Sequence, residues 1–380
     1  MAYSASMIET RQTTSAPGVI DLGIGQPQLE LLPSEGLARA ASRALGGPDN
    51  SGLNYGPARG NGYFLLALAE LLQEGYGIPV DPSTLMATGG CSAALAMLAS
   101  ALARPGDTVL VEDPTYFLAH RVFHDAGLKV VGVPLGPEGL EPERVAAAVR
   151  EHRPKLLYTI PVYQNPSGLT LSAAARQPIV EICAEHGVTV LADEVYQLLS
   201  YQGSPPPPLA AYIDSEVVIS LGSFSKILAP GLRLGWLQAA PALLGRLTSL
   251  GVFASGGGTN HFMTCLVKEW LESGDQKAYL EELRALYRHR VTLTARLLEQ
   301  HLGDRIDFET PQGGYFLWLR LRDGKDAQTL LAQANEAGVG YRAGSLFSAS
   351  GGCQDHLRLS FAHYGDEDIE RAVERLASVL

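Results

Sequence analysis

The sequence of 380 residues predicts an α/β fold, with a large, doubly wound, mostly parallel sheet and a smaller α+β domain. Two observations predict it. From residue 84 to residue 238, short runs rich in Val, Leu and Ile alternate with helical stretches, which is typical of a parallel sheet covered on both faces. After a mostly helical region, strand-like runs return near the C-terminus. The chain is long enough for two such units.

The elements are predicted in chain order as follows. Residues 1–20 form an arm, the Gly- and Pro-rich segment 21–27 is irregular, and helices occupy 34–45 and 63–74. The strands of the large sheet are predicted at 85–88, 108–112, 129–134, 155–160, 188–193, 217–221 and 234–238. Residues 262–303 are mostly helical with a break near Gly274. Strands at 314–321, 338–342 and 356–362 precede a C-terminal helix from residue 366. We expect residues 1–50 to be an arm and part of the small domain, 51–285 the large domain and 286–380 the small C-terminal domain.

Composition excludes several classes of partner. The net charge of −11 argues against nucleic acid or an anionic membrane surface, because both need a basic footprint. No apolar run reaches the ~18 residues of a membrane helix, and residues 1–17 lack the apolar core of a secretion signal. The four cysteines are widely spaced, so we expect reduced thiols and a cytoplasmic location. His120 and His124 lack a third ligand pattern, so we expect no metal site.

Lys226 and Arg233 are the only charged residues between Glu216 and Arg246. An apolar setting lowers the pKa of a lysine and leaves a free amine near neutral pH. Such an amine attacks carbonyl groups and forms Schiff bases. A surface lysine in a loop after a strand is the alternative interpretation.

Other polar side chains follow the predicted strands, where open α/β sheets bind ligands. Gly90, Cys91 and Ser92 open an Ala-rich helix whose N-terminus favours an anion, although a plain helix cap also explains that turn. The side chains after the other strands are Tyr116, Asn165, Asp193, Tyr196, Ser223, Ser225 and Lys226. An anion site, a stacking ring, a carboxylate and an amine are the parts that hold a phosphorylated pyridine aldehyde.

Several motifs carry a resemblance to a known family. They are TGGCSAA at 88–94, EDPTY at 112–116, YQNPSG at 163–168, ADEVY at 192–196, SFSKILAPGLRLGW at 223–236, PQGGYFLW at 311–318 and LRLSFAH at 357–363. The sequence resembles the fold type I aminotransferases that depend on pyridoxal 5'-phosphate (PLP), and within them the branch of 2-aminoadipate and kynurenine aminotransferases. The resemblance covers nearly the whole chain and makes the large domain the PLP-binding one.

The resemblance implies roles for the cofactor site. Lys226 would form the Schiff base and move the Cα proton, Asp193 would pair with the pyridine nitrogen, and Tyr116 would stack on the ring. Asn165 and Tyr196 would hydrogen-bond the phenolic oxygen of the ring. The residues implied to hold the phosphate are Gly90, Cys91, Ser223, Ser225 and Arg233, with Ser92 nearby. Tyr55 would reach that phosphate from a neighbouring subunit, so a homodimer with shared active sites is implied.

The substrate site is expected around Arg358. On an alternating strand, His356, Arg358 and Ser360 face one way, and the resemblance implies that Arg358 holds the substrate α-carboxylate. A surface ion pair is the alternative for this arginine. We expect Asn165 and Gly25 to line the same site. The glycines of segment 21–27 either make a turn or let a ligand approach the backbone closely.

The reaction predicted is transfer of an amino group from an α-amino acid to a 2-oxo acid by a ping-pong mechanism. Some lysine-pathway members of the branch that this sequence resembles use a basic residue near the start of the first helix to bind an acidic substrate side chain. This chain has Ser34 and Glu35 at that start, with Arg39 further along. A neutral, aromatic or aliphatic donor is therefore expected. The same constellation also serves β-lyases, decarboxylases and amino-acid oxidases. PLP-binding cores also occur in regulators with a winged-helix domain, but this sequence begins almost at the core, so we expect an enzyme.

Overall fold

The computed structural model describes residues 12–13 and 15–380. Most of the predicted arm at residues 1–20 therefore lies outside the described residues. The strands are β1 Ile20–Asp21, β2 Leu85–Thr88, β3 Thr108–Asp113, β4 Lys129–Pro134, β5 Leu156–Thr159, β6 Thr189–Asp193, β7 Val218–Ser223, β8 Gly235–Ala239, β9 Ile306–Phe308, β10 Phe316–Leu321, β11 Val339–Gly340, β12 Arg342–Ala343 and β13 His356–Ser360. The helices are α1 Ser34–Gly46, α2 Gly62–Tyr76, α3 Cys91–Leu102, α4 Phe117–Asp125, α5 Pro142–His152, α6 Ala173–Glu185, α7 Pro241–Thr248, α8 Gly251–Gly256, α9 His261–Glu272, α10 Asp275–Leu302, α11 Ala327–Glu336 and α12 Asp366–Ala377.

The large sheet contains all seven predicted strands, each within two residues of its predicted bounds. Its order is β2-β8-β7-β6-β5-β3-β4. The strands from β7 to β4 run parallel, whereas β8 is antiparallel to both β2 and β7. The prediction of a mostly parallel sheet is confirmed.

Helices cover both faces of this sheet because its strands are apolar on both sides. Leu110 and Leu157 pack with α5 and α6 in one core, while Val111 and Leu156 belong to the core that includes α2 and α3. Successive residues of β3 thus enter opposite cores, as the period of two along a strand requires. The doubly wound arrangement leaves the carboxyl ends of the parallel strands on one edge.

The second sheet is smaller and antiparallel, with the order β12-β13-β10-β9. The single strand predicted at 338–342 is divided, because β11 pairs with β1 while β12 pairs with β13. Asp21 lies in β1 and not in an irregular segment as expected. Neither β1 nor β9 was predicted, since two or three residues carry too little pattern to identify a strand.

The predicted break near Gly274 separates α9 from α10. The predicted domain boundary at residues 285 and 286 lies within α10, which is one continuous helix. Residues 20–21 pair with β11 near the C-terminus. The division of the chain at residues 50 and 285 stays a prediction. Within the described part of the chain, no helix combines the length and apolar character needed to cross a membrane.

Candidate active site

Lys226 lies just after β7, at the edge of the sheet where the parallel strands end. Its Nζ donates a hydrogen bond of 2.7 Å to the carbonyl oxygen of Gly25. The hydroxyl of Tyr315 donates to the carbonyl oxygen of Lys226 at 2.9 Å and so fixes the backbone there. Burial, together with the positive charge of Arg358, lowers the pKa of Lys226 to about 8. A neutral amine is therefore accessible near physiological pH.

Asp193 ends β6 and is 5% exposed. Its Oδ2 accepts a hydrogen bond of 2.9 Å from the hydroxyl of Tyr158. Its Oδ1 has no hydrogen-bond partner among the described residues. Burial raises the pKa of Asp193 to about 6, although the Tyr158 hydroxyl and the adjacent Cys91 thiol oppose the shift. A buried carboxylate oxygen without a donor is costly, so Oδ1 indicates a place where a ligand supplies one.

Arg358 projects from β13 and is 3% exposed. Nη1 donates to Oδ1 of Asn165 and Nη2 donates to the carbonyl oxygen of Gly23, both at 2.8 Å. The guanidinium carbon lies 3.9 Å from the ring centroid of Phe316 and 5.0 Å from that of Phe347. Burial lowers the pKa of Arg358 to about 9. The two rings and two hydrogen bonds fix the plane of a cation that suits a carboxylate.

A buried hydrogen-bond network supports the loop that carries Asn165. The amide nitrogen of Gln164 donates to Oε2 of Glu112 at 3.0 Å and to the carbonyl oxygen of Pro114 at 2.7 Å. The amide oxygen of Gln164 accepts from the backbone N–H and hydroxyl of Ser167. Burial raises the pKa of Glu112 to about 7. The network holds the loop against β3 and thereby sets the position of Asn165.

The predicted phosphate cradle lies at the N-terminus of α3. Gly90 has a φ of 90°, and a Cβ there would come within 2.9 Å of Nη2 of Arg233. Arg233 is exposed and donates to the carbonyl oxygens of Pro230 and Gly89 at 3.1 and 3.4 Å. The hydroxyl of Ser223 donates to that of Ser225 at 3.0 Å. Backbone N–H groups, two hydroxyls and a guanidinium are the donors that bind a phosphate.

Two aromatic residues of the predicted site lie beside these groups. Tyr196 is buried, and its ring centroid lies 5.7 Å from that of Tyr315. Burial raises the pKa of Tyr196, so its hydroxyl is a donor at neutral pH. Tyr116 is half-buried, and burial raises its pKa to about 12. Both rings are therefore neutral phenols near Asp193.

Two predicted residues stand apart from this cluster within one chain. Tyr55 is 81% exposed, and it lines a surface pocket together with Tyr63 and Leu66. Ser92 is exposed on the first turn of α3, and no hydrogen bond of its hydroxyl occurs among the described residues. The other predicted site residues lie at the edge of the large sheet, except Gly25 and Arg358, which reach that edge from the N-terminal segment and from β13 by hydrogen bonds to Lys226 and Asn165. No group of three or more His, Cys, Asp and Glu in the described ranges could hold a metal ion.

Four contributors to the site were given no role from the sequence: Tyr158, Tyr315, Glu112 and Gln164. Each acts through a hydrogen bond to a residue far along the chain. A polar residue inside an apolar strand was the available signal for Tyr158, since burying its hydroxyl requires a partner.

The residues present fit PLP. Oδ1 of Asp193 lacks a donor that a protonated pyridine nitrogen would supply, and the Gly90 cradle with Arg233 suits a phosphate. Lys226 supplies an amine of lowered pKa beside Asp193. These features match the aldehyde, ring nitrogen and phosphate of the cofactor.

Comparisons with known proteins agree with this geometry. The profile of the family described as aminotransferase class I and II matches residues 17–376. The chain is 31% identical to aromatic-amino-acid aminotransferase 1 of Thermococcus litoralis, over 95% of this chain and 88% of that one. It is 28% identical to an uncharacterized HTH-type transcriptional regulator of Bacillus subtilis, over 98% of this chain and 76% of that protein.

Among solved structures, the chain is similar to the α-aminoadipate aminotransferase LysN of Thermus thermophilus, complexed with N-(5'-phosphopyridoxyl)-L-leucine. The TM-score is 0.86 and the identity is 32%, covering 96% of this chain and 92% of that one. The family match covers nearly the whole length of the chain, and the relative from Thermococcus litoralis is more than 30% identical to it. The chain belongs to the class I and II aminotransferases, and it is a PLP-dependent aminotransferase of amino acids.

Proposed function

We propose that this aminotransferase takes the amino group from a neutral, aromatic or aliphatic α-amino acid and passes it to a 2-oxo acid. The observation that carries the proposal is the placement of Lys226 and Arg358. Both cations donate to backbone carbonyls of one short segment, at Gly25 and Gly23, beside the buried carboxylate of Asp193. The amine proposed for the chemistry and the guanidinium proposed to bind the substrate carboxylate are thus both held against residues 23–25.

PLP, when bound, supplies an aldehyde for Schiff-base chemistry and a ring that accepts charge developing at Cα. Lys226 is the proposed base: its neutral Nζ takes the proton from Cα of the substrate and returns it later in the reaction. The pKa near 8 supports this role, because a base works best when its pKa is close to the working pH. The Tyr315 hydroxyl holds the backbone of Lys226, so only the Lys226 side chain needs to move during the proton transfer.

The ring end of the cofactor is proposed to be held by four residues through three kinds of contact. Oδ1 of Asp193 would accept from the pyridine nitrogen, which keeps that nitrogen protonated. Asn165 accepts from Arg358 through Oδ1, so its amide N–H group remains to donate to the phenolic oxygen together with Tyr196. Tyr116 would cover one face of the ring. These three contacts would orient Cα toward Lys226.

The phosphate is proposed to lie between α3 and the turn after β7. Its proposed ligands are the N–H groups at Gly90 and Cys91, the hydroxyls of Ser223 and Ser225, and the Arg233 guanidinium, with Ser92 at the rim. Backbone donors at a helix N-terminus bind phosphate without a long side chain. The small residues of this turn support such an approach of the phosphate.

The substrate preference is proposed from the surroundings of Arg358. Its guanidinium lies between Phe316 and Phe347, and Phe117 packs edge-on to Phe347 at 5.2 Å. A substrate held by this arginine would therefore place its side chain against aromatic rings. Arg39 and Arg43, the two cations on α1, are both exposed on the surface. These positions favour an apolar substrate side chain over an acidic one.

Turnover of phenylalanine, leucine, glutamate and 2-aminoadipate, each with 2-oxoglutarate or pyruvate as acceptor, tests this preference. We expect kcat/KM for the neutral donors to exceed that for the acidic donors by at least about tenfold. That factor is the lower end of the discrimination that an apolar pocket achieves for a single methylene group. Equal values for the four donors would contradict the preference. Release of ammonia, carbon dioxide or peroxide in place of a new amino acid would instead indicate lyase, decarboxylase or oxidase activity.

We also propose a homodimer in which Tyr55 of one copy completes the phosphate site of the other. Leu53, Tyr55, Tyr63 and Leu66 are each more than half exposed, and they lie on neighbouring elements. Contiguous apolar patches of this kind mark association surfaces. Mixing Lys226→Ala and Tyr55→Ala chains tests the proposal, because a mixed dimer has one site with both residues intact. Recovered activity is expected; no recovery by mixed dimers of confirmed mass would contradict a shared site.

A cytoplasmic location is proposed from the four cysteines, which are all free. The large PLP-binding domain is proposed to span residues 51–285, with 1–50 and 286–380 forming the arm and the small domain. The pairing of β1 with β11 supports the assignment of the N-terminal segment to the small domain. Limited proteolysis should cut first near residue 50, between α1 and α2, while the boundary at residue 285 should resist cleavage because it lies within α10; cuts confined to other loops would contradict the boundary at residue 50.

A further inference from the structure

Tyr158 and Asp193 form a buried hydrogen bond between neighbouring strands of the large sheet. In the parallel pairing of β5 and β6, Tyr158 lies opposite Leu191. Asp193 is two residues beyond Leu191, so all three side chains project from the same face. The Tyr158 hydroxyl is 2.9 Å from Oδ2 of Asp193, and the two residues are 0% and 5% exposed.

The Tyr158 ring has little freedom to turn. It packs edge-on to Phe123, with ring centroids 5.6 Å apart and an interplanar angle of 67°. Among the described residues, Asp193 is the only hydrogen-bond partner of its hydroxyl. A fixed phenol is a donor of fixed direction, and it therefore holds the carboxylate in one orientation.

We propose that Tyr158 is a positioning residue for the cofactor: its hydroxyl holds Oδ2 and so turns Oδ1 toward the pyridine nitrogen. This inference rests on the proposed role of Asp193. The unpartnered Oδ1 is the observation that makes the orientation matter, since only that oxygen is left for the ring nitrogen. The hydrogen bond also favours the ionised carboxylate, because a donor stabilises the charged form.

Other groups act on the Asp193 carboxylate from the elements packed around it. Burial disfavours the charge of this carboxylate. The Tyr158 hydroxyl, the Cys91 thiol, the backbone N–H of Val195 and the charge of Lys226 favour it. The titratable groups that face it are Tyr158, Cys91, Lys226, Tyr116, Glu112 and Tyr196. Tyr158 comes first after burial among the influences on the Asp193 pKa, so its loss should be measurable over the rest.

Tyr158→Phe tests the proposal, because it removes the hydroxyl and keeps the ring against Phe123. Tyr341→Phe is the matched control: Tyr341 is also 0% exposed, and its hydroxyl donates to the carbonyl oxygen of Ala327, away from the proposed cofactor contacts. The dissociation constant of PLP is measured by titrating cofactor-free protein, whose unfolding by urea is measured in parallel.

We expect Tyr158→Phe to raise the PLP dissociation constant about tenfold, the value of one hydrogen bond to a charged group. The loss of PLP affinity on acidification should also begin about one pH unit higher, because Asp193 without its donor takes up a proton more readily. Tyr341→Phe should change neither quantity. Equal PLP dissociation constants for Tyr158→Phe and Tyr341→Phe would overturn the proposal.

A double-mutant cycle separates this inference from the role of Asp193. In an Asp193→Asn background, Tyr158→Phe should weaken PLP binding no further. An undiminished effect in that background would show that Tyr158 acts elsewhere and overturn the inference alone. If Asp193→Asn by itself leaves PLP binding unchanged, the proposed role of Asp193 fails and the inference fails with it.

Discussion

The two ends of the active site differ in how completely one chain builds them. At the inner end, Asp193, Asn165 and Arg358 are buried, and each is held by its own chain. At the outer end, Arg233 and Tyr55 are exposed, and the proposed ligand set there needs a second copy. The inner end is therefore pre-organised for the ring and the substrate carboxylate. The outer end, where the phosphate is proposed to bind, includes donors that water also reaches, such as the Arg233 guanidinium.

The largest effect should come from the amine at the inner end. Lys226→Ala removes the proposed base and the Schiff-base nitrogen, so turnover should fall at least about a thousandfold. Lys129→Ala, which alters an exposed lysine on β4, is the control and should retain activity. Steady-state rates with phenylalanine and 2-oxoglutarate measure the difference. Near-normal turnover by the Lys226→Ala protein would remove the basis of the mechanism.

The second-largest effect should come from Arg358, which is proposed to bind the substrate α-carboxylate. Arg358→Gln removes the charge that holds the α-carboxylate, and we expect KM for phenylalanine to rise about a hundredfold, as expected for a lost charged hydrogen-bond pair. Phenethylamine lacks that carboxylate and serves as the matched substrate. Its weak turnover should change little in the variant. A parallel loss with both compounds would mean that Arg358 supports the fold and not the carboxylate.

A smaller effect is expected from Asp193→Asn, which should stabilise the cofactor-free protein although it weakens PLP binding. The folded-state pKa of Asp193, about 6, lies above its ordinary value of 3.8, so its ionisation favours the unfolded chain. Its stabilising contribution is complete below pH ~4 and is lost as the pH rises to about 6. Asp193→Asn cannot ionise, and the cofactor-free variant should be more stable by roughly 1–3 kcal/mol at pH 8.

Urea unfolding of the cofactor-free proteins at pH 4.5 and pH 8 checks this sign. The advantage of Asp193→Asn should be small at the lower pH and larger at the higher one. The same variant should bind PLP more weakly, so that stability and cofactor affinity change in opposite directions. If the variant is less stable than the wild-type protein at both pH values, the claim that ionised Asp193 destabilises the folded, cofactor-free protein is wrong.

The smallest effect is expected at the outer end. Ser92 is exposed, so Ser92→Ala should change the PLP dissociation constant less than about threefold. Ser223→Ala is the informative comparison, because Ser223 is buried and bonded to Ser225. A larger effect at Ser92 than at Ser223 would reverse the proposed ranking of the phosphate ligands.

The large sheet was predicted strand by strand because its strands are buried on both faces and separated by helices. The small sheet was harder: β9 is an edge strand of three residues, and β1 is a strand only through its pairing with β11. In each case the pairing is decided by residues far away in the sequence. Local pattern does not contain that information.

The same limit applies to the site. Lys226, Asp193 and Arg358 were identified because motifs and strand ends mark them. Tyr158 and Glu112 were not assigned roles, because they act through hydrogen bonds whose partners are set by strand register or loop packing. Sequence thus identified the groups proposed to touch the cofactor and substrate. It did not identify the groups that orient them.

The most direct test of the account is a single half-reaction of the purified protein loaded with PLP. Phenylalanine is added without an acceptor, and the visible absorption of the Lys226-bound cofactor is followed while the 2-oxo acid is quantified. We expect the band to disappear with release of one 2-oxo acid per site, and to return when 2-oxoglutarate or pyruvate is added. A band that persists while ammonia, carbon dioxide or peroxide accumulates would contradict amino transfer, and no band even with added PLP would contradict the role of Lys226.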